Sequence, residues 1–90
     1  MTYSIRWDEK SREFLRKIEK DDAQRIIRKV NSIVDDPHHY LETLVGFKFF
    51  KLRIGDFRAL VDINSQTLTL SVLFIGHRRD VYKYIQREDI

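Results

Sequence analysis

Residues 48–63 constrain the fold more than any other stretch, because two runs of alternating side chains flank the pair Gly55-Asp56. A two-residue loop with glycine at its first central position is a favoured β-hairpin connection, and its length fixes which residues lie opposite one another. Counting outward from the loop, Ile54 faces Phe57, Leu52 faces Ala59 and Phe50 faces Val61, all apolar. On the other side Arg53 meets Arg58, Lys51 meets Leu60 and Phe49 meets Asp62. One sheet face is core; the other carries cations.

A third strand follows. Passing through Asn64-Ser65-Gln66 with an even loop length puts Leu68, Leu70, Val72 and Phe74 on the core side. Thr67, Thr69, Ser71, Leu73 and Ile75 then share the cationic side, and an odd loop would reverse that parity. The strands are expected near 48–54, 57–63 and 67–75. At the start of the chain, Tyr3, Ile5 and Trp7 alternate with Thr2, Ser4 and Arg6, the period of a strand with one buried face.

Between these strands the period changes. Asp8 is placed to cap a helix carrying Phe14, Leu15 and Ile18, and Asp21-x-x-Gln24 has the form of a capping box opening a longer one. Ala23, Ile26, Ile27, Val30, Ile33 and Val34 give that second helix an apolar stripe. Asp35-Asp36-Pro37 ends it, and residues 36–46 read as irregular. A short helix from about 79 to 88 turns Val81, Tyr84 and Ile85 inward. The order β-α-α-β-β-β-α predicts one α+β domain over 1–90: an antiparallel four-stranded sheet, two N-terminal helices packed on one face, and a short C-terminal helix.

Charge adds a functional constraint. The net charge is +3, but residues 1–45 are balanced and the excess falls in residues 46–90, an asymmetry that points to a polyanionic partner. Like charges directly opposite on a sheet are unfavourable by ~0.2–1 kcal/mol, so the Arg53–Arg58 pair calls for an anion between the two guanidinium groups. Phosphate fits, since guanidinium presents paired planar donors. Asp56 or Asp62 as an internal counter-ion, or arginines extended into water, are the alternatives. The chain has no cysteine, which excludes disulfides and cysteine chemistry. Its longest apolar run, Val72–Ile75, is far too short to span a bilayer, so a cytoplasmic protein without a membrane partner is expected.

Other constellations are weaker. His77 with His38 or His39 would imitate a two-histidine ribonuclease, but two adjacent histidines in a polar loop are ordinarily solvated. Asp35, Asp36, Asp56 and Asp62 share no face on which a metal would sit. Neither a metal nor a small-molecule cofactor is expected. Phe47 and Phe49 offer rings for base stacking or for packing; Tyr3 and Trp7 belong to the core.

The stretch from Lys51 to Val61, together with Gly76-His77-Arg78-Arg79-Asp80-Val81-Tyr82, resembles the two signature regions of the RelE/ParE toxin superfamily. The resemblance implies the toxin of a toxin–antitoxin pair. RelE-type members cleave messenger RNA in the ribosomal A site, whereas ParE-type members block DNA gyrase. The RelE-type reading implies a metal-independent endoribonuclease with messenger RNA and the ribosome as partners and a RelB-type antitoxin as its inhibitor. Carried over by position, Lys51, Arg53, Arg58, Arg78 and Tyr82 form the catalytic set. Lys48, Phe49, His77, Arg79 and Lys83 are the expected RNA-binding residues. The chemistry is attack of a 2′-hydroxyl on the adjacent phosphorus, leaving a cyclic phosphate. Arg53 and Arg58 would clamp the phosphate, and Arg78 would stabilise the departing oxygen. Lys51 is the candidate base, provided neighbouring cations favour its neutral amine. Tyr82 would stack a base. A gyrase inhibitor without catalysis and a plain basic nucleic-acid-binding module are the other readings.

Overall fold

The Gly55-Asp56 pair turns the chain as expected. Gly55 has a φ of +56°, which glycine adopts without a Cβ clash. The flanking strands pair in the counted register, Ile54 with Phe57, Arg53 with Arg58, Leu52 with Ala59, Lys51 with Leu60 and Phe50 with Val61. A computed structural model describes residues 1–88. Its strands are β1 (Ser4–Trp7), β2 (Glu42–Thr43), β3 (Phe50–Ile54), β4 (Phe57–Asn64) and β5 (Thr69–His77). Its helices are α1 (Glu9–Lys17), α2 (Lys20–Ser32), α3 (Pro37–Tyr40) and α4 (Arg78–Glu88).

The sheet has five strands in the order β1-β5-β4-β3-β2 and is mixed, so the expected four-stranded antiparallel sheet needs correction. β1 runs parallel to β5, with Ile5 beside Leu70 and Trp7 beside Val72. Period alone shows that residues 3–7 are extended but not which strand they join. The fifth strand, β2, lies in the stretch expected to be irregular. It pairs Glu42 with Lys51 and Thr43 with Phe50, and two residues are too few to show alternation. α3 occupies the same stretch, with Pro37 at its first turn, a position that suits proline.

Three local details also differ. α2 begins at Lys20 with Glu19 as its cap, and no side chain bonds the cap, so Asp21 and Gln24 do not form a capping box. Asp21 and Asp22 instead supply negative charge to the first turn, where the helix dipole favours it. Asp8 makes no capping bond either; its carboxylate lies 3.5 Å from Arg6. The turn into β5 is longer than expected. Asn64 accepts hydrogen bonds from the backbone N–H groups of Gln66 and Thr67, and Leu68 takes a φ of +52°.

The third strand also changes face partway along. Val61 pairs with Val72 while Leu60 pairs with Phe74, leaving Leu73 as an extra residue in β5. Such a bulge shifts the alternation by one. Leu70, Val72 and Ile75 therefore enter the core, and Phe74 turns the other way, stacking on Tyr84 of α4 at 4.3 Å. The expected places of Phe74 and Ile75 are exchanged.

The core lies between α2 and the sheet. Ile26, Val30 and Ile33 pack with Leu52, Ile54, Phe57, Ala59, Val61, Leu70, Val72 and Ile75. Tyr3, Ile5 and Trp7 pack against this cluster, as read from the sequence, whereas Ile27 of the predicted stripe is 37% exposed. On the opposite face α4 covers Leu60 and Phe74 with Val81 and Tyr84. Gly76 makes that seat possible: a Cβ there would stand 3.1 Å from the Phe74 ring and 3.3 Å from Val81.

β5 outruns β1, and α1 fills the vacant edge. Ser11 is fully buried and its Oγ donates to the Val72 carbonyl at 2.8 Å, which also accepts the Asp8 N–H at 3.0 Å. Ser11→Ala removes one of these two bonds, so thermal unfolding should show a loss of about 0.5–1.5 kcal/mol, a few degrees in Tm. An unchanged Tm would show that this edge does not need the hydroxyl.

Candidate functional site

Strand alternation puts Lys51, Arg53 and Arg58 on the face opposite the α2 core. Arg58 is only 5% exposed. Its Nη1 donates to the carbonyls of Gly55 at 2.6 Å and Phe57 at 2.8 Å, so this side chain grips the hairpin turn that precedes it. A guanidinium this deep ordinarily meets a carboxylate. Among the described residues neither Arg58 nor its cross-strand partner Arg53 forms an ion pair. Asp56 and Asp62, the internal counter-ions considered above, do not fill that role, and Arg53 is exposed.

Lys51 has a different environment. Its Nζ lies 3.7 Å from a carboxylate oxygen of Glu42, its neighbour across the β2–β3 ladder, and 5.6 Å from the centre of the Tyr82 ring. The Lys51 side chain is 15% exposed. One lysine thus joins β2, β3 and α4. The charged partner that faces its ammonium is the Glu42 carboxylate.

At the start of α4 the backbone N–H of Arg78 donates to the carbonyl of Asp56 at 2.9 Å, tying the helix to the hairpin turn. Asp56, His77, Arg78, Arg79, Asp80 and Tyr82 line a cleft of about 710 Å³ there. Tyr82, 49% exposed, borders this cleft and also meets Lys51, so it links the two groups of cations. Turn, strand pair and helix start are held together by main-chain bonds, which is the preorganisation that an anion site requires.

The remaining predicted residues are spread more widely. His77 pairs with Phe57 in the ladder and leans toward the helix side, its ring 4.9 Å from Phe57 and 6.0 Å from Phe14. Phe49 is half-buried against Phe47 at 5.1 Å, and Lys48 is exposed beside it. Lys83 borders a second cleft between α1 and α4, with Lys10, Lys17, Phe74 and Tyr84.

Two residues near the hairpin, one on each side of the sheet, escaped the sequence reading. Glu42 lies in a strand too short to show a period. Arg25 of α2 comes within 3.5 Å of the place where a Gly55 Cβ would be, with its guanidinium 5.8 Å from the centre of the Phe57 ring. The Arg25 contact is long-range. Among the described residues no group of three His, Asp or Glu side chains converges as a metal site would need, and no helix is long and apolar enough to cross a membrane.

The two opposed arginines should behave differently on substitution. Arg58→Ala leaves two carbonyls at the turn without their donor and should cost about 1–3 kcal/mol in denaturant unfolding. Arg53→Ala, at an exposed position, should stay within about 0.5 kcal/mol of the parent. Equal effects would contradict the clamp role of Arg58.

Comparisons with known proteins bear on this geometry. The fold matches the RelBE2 toxin–antitoxin complex from Mycobacterium tuberculosis with a TM-score of 0.80 at 21% identity, covering 87% of this chain and 100% of that one. A mutant of the toxin RelE from E. coli in the free state matches with a TM-score of 0.76 at 20% identity, covering 97% and 98% of the two chains. The archaeal RelE–RelB complex from Pyrococcus horikoshii gives 0.73 at 19%, covering 87% and 97%. No curated protein sequence matches. The family described as the ParE toxin of the type II toxin–antitoxin system parDE matches residues 5–82. With that match spanning the hairpin, the arginine pair and the start of α4, the chain belongs to the ParE toxin family of type II toxin–antitoxin systems, within the RelE/ParE superfamily.

Proposed function

We propose that this toxin is of the RelE type: an endoribonuclease that cuts messenger RNA in the ribosomal A site by 2′-hydroxyl attack, independent of metal, and is neutralised by a RelB-type antitoxin. The observation that carries the reading is the Arg53–Arg58 pair, opposed across the hairpin with no carboxylate to offset it among the described residues. A phosphodiester placed between these side chains supplies the missing negative charge. The charge grows as the 2′-oxygen attacks, so donors fixed in advance favour the transition state over the ground state.

Within this reading Arg58, held from behind by the turn, offers its remaining N–H donors to a phosphoryl oxygen. Arg53 approaches from solvent. Arg78, fixed at the start of α4, stabilises the departing 5′-oxygen. Lys51 acts as a cation beside Glu42, the 2′-hydroxyl proton passes to water, and water returns a proton to the departing 5′-oxygen. Tyr82 stacks a nucleobase, an interaction worth ~1–3 kcal/mol. Lys48, Phe49, His77, Arg79 and Lys83 contact the RNA around this centre. Arginines cannot take a proton, and a site this poor in bases works best on RNA that the ribosome already holds in place.

A second reading has its own support, because the matching family is that of ParE: the same surface would inhibit DNA gyrase without cleaving anything.

The test uses translating ribosomes and the purified toxin, with messenger 5′ ends mapped. Codon-phased cuts are expected with the parent, and Arg53→Ala or Arg78→Ala should slow them roughly 10²–10³-fold at unchanged Tm. Intact messenger together with blocked supercoiling by gyrase would replace the nuclease reading with the second one.

A further inference from the structure

The contact between Lys51 and Tyr82 gives Glu42 a role that no strand-forming argument supplies. β2 is two residues long, both exposed, and contributes nothing to the core. Its one distinctive side chain is Glu42, 56% exposed, whose carboxylate lies 3.7 Å from the Lys51 ammonium. That ammonium in turn sits 5.6 Å from the centre of the Tyr82 ring. An ammonium facing an aromatic ring is drawn to the negative π-face. Arg53 and Arg58 lie on the same sheet face and repel Lys51, and among the described residues Glu42 is the carboxylate that pairs with its ammonium.

We infer that Glu42 is a positioning residue for base stacking: its carboxylate pins Lys51 behind the Tyr82 ring, and the ring then presents its outer face to an unpaired base of the messenger. The inference rests on the nuclease reading. It differs from a proton-transfer role for Glu42 in what should change. A positioning residue alters how well the base is held, whereas a base alters the chemical step and its dependence on pH.

The experiment uses ribosomes programmed with a messenger carrying 2-aminopurine in the A-site codon, so that stacking is read from fluorescence and cleavage from gels. Glu42→Gln should raise KM roughly three- to tenfold, the range expected from a weakened cation–π contact. It should weaken the fluorescence change in parallel and leave kcat and its pH profile as in the parent. In a Tyr82→Ala background the same substitution should do nothing further. Glu42→Asp should recover part of the loss, and the Tm should not move, since an exposed ion pair stabilises little.

Three results overturn the inference while leaving the nuclease reading intact. These are an unchanged KM, a fall in kcat with loss of the acidic limb of the pH profile, or an effect of Glu42→Gln that persists in full beside Tyr82→Ala. A parent toxin that cuts nothing overturns both.

Discussion

A buried guanidinium holding the turn that precedes it organises this molecule. Arg58 donates to the carbonyls of Gly55 and Phe57, and the next carbonyl in the turn, that of Asp56, receives the first N–H of α4. Turn geometry, strand register and helix docking therefore depend on three successive carbonyls. Burying a charge is costly unless donors and counter-charge are arranged around it. Here the carbonyls satisfy part of the guanidinium, and its charge remains uncompensated among the described side chains. The same residue is thus a fold element and, in the proposed function, the deepest point of the phosphate site, so that its loss should disturb both.

The two faces of the sheet divide the work. One buries Ile26, Val30 and Ile33 of α2 against the strands and provides the stability of a small domain. The other, beneath α4, has a shorter apolar contact through Leu60, Phe74 and Val81 and leaves room for cations beside it. The bulge at Leu73 makes this division possible within one strand, since it sends Ile75 to the first face and Phe74 to the second. Without it, Tyr84 would have no ring to stack on.

What could be read from the sequence was local and periodic, and what could not was either long-range or too short to show a period. The hairpin register followed from Gly55-Asp56 by counting, and with it the opposition of Arg53 and Arg58. The three longer helices followed from period, whereas α3, four residues long, did not. Missing were the parallel pairing of β1 with β5, which joins residues far apart in the chain, and the strand at Glu42–Thr43, whose partner is near in the chain but which is too short to show a period. The Leu73 bulge is no more visible, because an extra residue in a β-branched and aromatic run leaves the composition unchanged. The same limit applied to the site. The opposition of Arg53 and Arg58 followed from the hairpin register and Tyr82 was named only through the family resemblance, whereas the partner of Lys51 lay in a segment without periodicity.

The parallel pairing of β1 with β5 has a consequence for synthesis. Ser4 takes its ladder partner from Thr69 and Trp7 takes its own from Val72, so the first strand stays unpaired until most of the chain has been made. Such distant contacts close late, because chain entropy must be overcome before they form. The arginine at 78 and the tyrosine at 82 come later still. A nascent copy is therefore an incomplete sheet, its first strand a free edge and α4 absent, until those later residues have emerged.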